Sequence, residues 1–161
     1  MRGGALPPAL LFTALGLAIA FAPRRVWAPS LMTLISTVVA LEFASIPRSW
    51  LDGTFLACWL SVSTTAAAVH LPQGIRLWGA LLLSLNAGLW SSAVIALSGS
   101  PLDLLKAMPC VLIFVPASWV IGRGASIAVK VVSSWLIAVA MLAATLQFLP
   151  VTPGYMPDHL D

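Results

Sequence analysis

The chain alternates between long apolar stretches and short polar connections. The apolar stretches run over about 6–22, 26–46, 54–71, 77–97, 107–121 and 125–149. As helices rising about 1.5 Å per residue, most are long enough to cross the ~30 Å hydrocarbon core of a bilayer. The connections hold the charges and turn residues: Pro23, Arg24 and Arg25; then Pro47, Arg48, Trp50, Asp52 and Gly53; then Leu71-Pro72-Gln73-Gly74; then Ser98 to Asp103; then Gly122-Arg123-Gly124. Clusters of this kind interrupt helices and favour turns. The pattern predicts an all-α, polytopic transmembrane helix bundle with six crossings. Residues 1–149 form a single domain, and residues 150–161 a short polar tail outside the membrane.

The fourth stretch is charge-free and carries small residues four apart: Ala80, Ser84, Gly88, Ser92 and Ala96. Small residues at that spacing let a second helix backbone come close, which drives much of helix association in lipid. This stretch is therefore expected to be the central helix, with its ladder packed against a neighbour.

The first stretch is short and begins at Pro7 and Pro8, where a helix can start. Arg2, the apolar run and Ala20-Phe21-Ala22 also resemble a signal peptide, and its removal would leave five crossings. Pro23 directly after the cut and Arg24 and Arg25 beyond it argue for a retained first helix. The third stretch is rich in hydroxyls (Ser61, Ser63, Thr64 and Thr65), which bond back to helix carbonyls or across to a neighbour. In the fifth stretch Ser100 is a good N-cap, Pro101 suits the first helical position, and Asp103 can return a hydrogen bond. Pro109 and Pro116 each remove a donor and crowd the preceding turn, so a kink is expected at one of them. No internal repeat is visible.

Composition agrees with the pattern. The 161 residues are 60% hydrophobic and 8% charged, against roughly 25% charged in soluble domains, and mean hydropathy is +1.02. Lipid must therefore clothe most of the surface. The net charge of +3 rests on eight dispersed Lys and Arg residues, with no basic run suited to nucleic acid. Trp27, Trp50 and Trp78 fall near segment ends as interfacial anchors. Cys58 and Cys110 sit in apolar stretches without metal-ligand or CxxC spacing, as buried small hydrophobes do.

Loop charge orients the bundle. With the N-terminus cytoplasmic, Arg2, Arg48 and Lys106 lie inside; reversed, Arg24, Arg25, Arg76, Arg123 and Lys130 do. The larger set favours both termini on the non-cytoplasmic side of a cell (inner) membrane. Six antiparallel crossings then put Glu42 level with Arg48, Asp103 and Lys106, and His70, Arg76 and Lys130 at the opposite face. Glu42 and Lys130 should not pair.

Five side chains are candidates for a substrate or ion path: Glu42, Asn86, Lys106, His70 and Lys130. A carboxylate inside a span needs a partner, water or a proton, which singles out Glu42. It can also serve as a helix-end acid paired with Arg48. Lys130 can snorkel to its interface, and His70 can be an interfacial residue or titrate near neutrality. Asn86, the deepest amide, lies roughly opposite the ladder and can bond another helix or meet a substrate. There is no HExxH, GxSxG, P-loop, GxGxxG or metal-ligand cluster, so no catalytic residues, metal or cofactor are expected and the chain is not expected to be an enzyme. Two function classes remain. One is a small permease or channel-type transport protein acting as an oligomer. The other is a non-catalytic subunit that scaffolds a larger membrane complex. Expected partners are the lipid bilayer and other copies or subunits.

Overall fold

The computed structural model describes residues 5–42, 47–72 and 74–148. They are all helical apart from turns. The helices are α1 (Leu6–Ala20), α2 (Arg24–Leu41), α3 (Leu51–Ala67), α4 (Leu77–Ser98), α5 (Pro101–Ala107), α6 (Phe114–Gly122) and α7 (Ser126–Leu146). A 3-10 turn over Ala68–His70 extends α3, and a 3-10 stretch over Met108–Ile113 joins α5 to α6. Counting that interrupted run once, the described residues form six helical segments, as the hydropathy pattern predicts. Three stretches are long and apolar enough to cross a membrane: Leu77–Ser98, Leu102–Gly122 and Ser126–Leu146. The expected tail over 150–161 lies outside the described residues, as do the expected extensions of the second helix over 43–46 and of the sixth to Leu149.

The centre of the bundle is α1, not α4. Leu11, Phe12, Ala14, Leu15 and Ala18 have no exposed surface, and Leu17, Ile19 and Ala20 very little. At 15 residues and about 1.5 Å rise each, α1 is too short for the ~30 Å core of a bilayer. It is wrapped instead by α3, α4, α6 and the Met108–Ile113 stretch. A helix apolar on every side has no face to offer water, and burial within the bundle suits it as well as lipid does. Removing this segment as a leader would empty the axis of the bundle.

Gly16 permits that wrapping. A Cβ there would lie 2.5 Å from the Val111 carbonyl oxygen and 2.6 Å from Ile113 Cγ2. The fifth segment does more than kink: it breaks into α5, the 3-10 stretch and α6. Pro109 lies in the first turn of the 3-10 stretch, where the shift in hydrogen-bond register accommodates its missing donor. Pro116 falls in the first turn of α6, where N–H groups lack intrahelical partners anyway. At the start of α5, the Ser100 backbone N–H donates to Asp103 Oδ2 at 3.1 Å, the expected return bond.

Polar contacts fix how the remaining helices run. The Ser133 hydroxyl donates to the Ala66 carbonyl oxygen at 2.7 Å, and Ser134 Oγ lies 3.3 Å from His70 Nε2, so α7 meets the end of α3 about two turns past its own start. Asn86 Nδ2 donates to Ser61 Oγ, joining α4 to α3. Gly74 and Gly124 hold positive φ angles of 68° and 83° in the turns before α4 and α7, which glycine adopts without strain. The charges sort by end as expected. Arg24, Arg25, Arg76, Arg123 and Lys130 gather at one end, with no acid there among the described residues. Glu42, Asp52, Asp103 and Lys106 lie towards the other.

Candidate functional site: the seam between α2 and α4

Residues four apart line both sides of one interface. On α2 the buried residues include Val26, Ser30, Leu34 and Val38, and Glu42 is the next rung. On α4 the matching set is Ala80, Ser84, Gly88 and Ser92, with Ala96 the exposed last rung. Rows spaced by four on two helices interdigitate, and a missing side chain in one row draws the backbones together. That missing side chain is at Gly88. A Cβ there would lie 2.9 Å from Thr37 Cβ and 3.2 Å from the Leu34 carbonyl oxygen. At Gly88 the ladder of small residues therefore meets α2. The two helices run parallel, since their C-terminal ends meet around Glu42 and Gly99.

A recess opens at each end of this seam. The larger, about 1410 Å³, lies at the cationic end. Its walls include Phe21 and Val26 beside Leu77, Leu82 and Leu83, with Arg25, Arg76 and Trp78 also lining it. The smaller, about 230 Å³, is lined by Leu41, Glu42, Ser92, Ile95, Ala96 and Gly99. On these two rows Ser30, Ser84 and Ser92 bury hydroxyl oxygens that have no hydrogen-bond partner among the described residues, as do Thr65 of α3 and Ser91 of α4. An unsatisfied buried hydroxyl costs about 1–3 kcal/mol. Thr37 is satisfied within its own helix, donating to the Thr33 carbonyl oxygen at 2.7 Å.

The five candidate side chains do not converge. Glu42 lies at the smaller recess and is exposed overall. Asn86 is half-buried and spent on Ser61, on the face of α4 that meets α3. Lys106, 72% exposed, reaches Asp103 at 4.0 Å, a surface pair of little energetic weight. His70 is exposed beside Ser134 at the opposite end from Glu42. Lys130 is half-buried one turn into α7 at that same end. The alternative pairing of Glu42 with Arg48 lies outside the described side chains.

Three features were missed from the sequence: Ser30, Arg25 with Arg76, and the larger recess. Ser30 had a signal, since Val26, Ser30, Leu34, Val38 and Glu42 repeat every four residues. The bulk of the Val and Leu rungs hid it beside the more conspicuous small residues of α4. Cys58 is fully buried and Cys110 partly so, both as free thiols. Among the described residues no three His, Cys, Asp or Glu side chains group as a metal site. No family model, curated protein or solved structure matches this chain.

Proposed function

We propose that the chain is a non-enzymatic integral membrane protein whose other five helical segments cross the bilayer around the shorter α1, and that it is a small permease-type transport protein. The observation that carries this reading is the seam: two recesses at opposite ends of one helix interface, joined by buried hydroxyls and pinched at Gly88. A wide recess over a packed floor suits a carrier caught open to one side better than an open channel. Interrupted helices are common in transporters, and the broken run from α5 to α6 packs directly on α1. The cationic end faces the cytoplasm of a cell (inner) membrane, and both termini face away from it. The protein works as an oligomer. Packed chiefly on α4, α2 leaves Met32, Ile35 and Val39 exposed for a neighbouring copy or lipid.

The test is flux through proteoliposomes holding the full chain, with protons, potassium and glycerol as separate probes. Replacing Ser30, Ser84 and Ser92 together by alanine removes three unsatisfied hydroxyls, so the variant should be at least as stable as the parent. If the seam is the path, that stable variant slows flux. Unchanged flux would place the path elsewhere.

The second reading is a non-catalytic subunit of a larger membrane complex. It is favoured by the filled axis, since the zero exposure of Leu11, Phe12 and Leu15 leaves no opening along α1. Absence of flux for every probe, with recovery of the protein in a stable larger complex, would favour it.

A further inference from the structure

We propose that the larger recess is a binding site for one anionic phospholipid, with its phosphate at Arg25 and Arg76 and its acyl chains along Leu77, Leu82 and Leu83. This stands without the transport reading, and a lipid seated here would have to leave, or itself be the solute, before the seam could carry flux through the larger recess. The recess joins two chemistries that one amphiphile satisfies at once. Its walls are mainly apolar, and its charged lining residues are both guanidiniums. The other two arginines at this end lie near tryptophan rings. Arg24 lies 5.9 Å from the Trp27 ring centroid, and Arg123 sits 3.5 Å over the Trp119 ring, outside the recess. Arg25 and Arg76 are exposed, and among the described residues neither has an ion pair. Among the described residues no acid at this end competes for them.

Arginine suits the role because its planar fork holds phosphate oxygens in pairs. Trp78, 76% exposed on the same wall, marks the headgroup level, where indoles anchor. The first turns of α2 and α4 open onto the recess as well and add partial positive charge. The proposed orientation sets this end in the cytoplasmic leaflet, where anionic lipids concentrate and basic pockets between helices take their headgroups. A soluble anion would use the guanidiniums but leave the leucine wall bare, and a zwitterionic lipid would bring its phosphate together with a cation that the two arginines repel.

The experiment is native mass spectrometry of the full chain released from detergent micelles, titrated with phosphatidylglycerol or phosphatidylcholine. Two guanidiniums near a headgroup should favour phosphatidylglycerol by about thirtyfold. Arg25→Gln/Arg76→Gln should abolish that preference, and Arg25→Lys/Arg76→Lys, which keeps both charges, should retain most of it. Arg123→Gln should leave it intact. Glycerol phosphate, which carries the charge without the chains, should not displace the lipid. An unchanged preference in the double glutamine variant would overturn the proposal. So would an equal loss in Arg123→Gln, or displacement by glycerol phosphate, which would make the recess a soluble-anion site.

Discussion

Gly88 of α4 and Thr37 of α2 approach so closely that a Cβ on the glycine would sit 2.9 Å from the threonine Cβ. Neither atom is at the end of a flexible side chain, so one helix must move to admit a methyl group. Overpacking of this kind costs about 1–3 kcal/mol, and Gly88→Ala should lower the melting temperature in detergent. Gly53→Ala is the control, because nothing lies within 4 Å of its added Cβ. There the gain in helix propensity should stabilise α3 by about 0.5–1 kcal/mol. Equal melting temperatures for the two variants would refute the close approach.

Gly16→Ala should be more severe than Gly88→Ala. Its added Cβ meets a backbone oxygen at 2.5 Å and the Ile113 side chain at 2.6 Å. Relief requires the 3-10 stretch to leave α1, which strips cover from the most buried helix in the protein. The expected result is loss of monodisperse protein on size-exclusion chromatography. Recovery of a well-folded Gly16→Ala variant would show that α1 does not seat against Val111.

Asn86 and Ser61 supply a hydrogen bond between α4 and α3. A double-mutant cycle over Asn86→Ala and Ser61→Ala should give a coupling energy of about 0.6–2 kcal/mol, the range for polar pairs between membrane helices. Flux should be insensitive to either change, since both residues lie off the seam. A coupling energy of zero would mean that the two side chains act independently, and altered flux would return Asn86 to the path.

The legible part of this fold lies in its punctuation. The pattern predicts the fourth helix over 77–97, and it spans Leu77–Ser98; it predicts the sixth from Ala125, and that helix starts at Ser126. Proline, glycine and charge at those boundaries act locally, so the sequence around them is enough. The centrality of α1 was not legible, because a helix wrapped by protein and a helix wrapped by lipid have the same apolar composition. Only Gly16 hinted at it, a lone glycine in a run of larger residues. Likewise the small-residue ladder of α4 could be read from its spacing, while its partner on α2 could not. Which helix fills a groove depends on the global arrangement, and Ser30 acquires meaning only once Ser84 and Gly88 stand across from it. The larger recess draws on residues from 21 to 83, too scattered for any local pattern to reveal.

Glu42 gives the sharpest separation between the two proposed functions. It is the last rung of the α2 row and lies at the smaller recess with Ser92, whose hydroxyl is buried and without a partner among the described residues. A carboxylate at the mouth of a hydroxyl-lined seam can attract a cation or exchange a proton with the passing solute. Glu42→Gln keeps the size and the hydrogen-bonding reach and removes only the charge and its titration. The side chain is exposed, so stability should stay within about 0.5 kcal/mol of the parent. For a transport protein, proteoliposome flux should then fall or lose its pH dependence while the melting temperature holds. For a scaffold, the variant should be recovered in its complex at parental yield. Flux identical to the parent at every pH would remove Glu42 from the path, and a large drop in melting temperature would show that its carboxylate is structural.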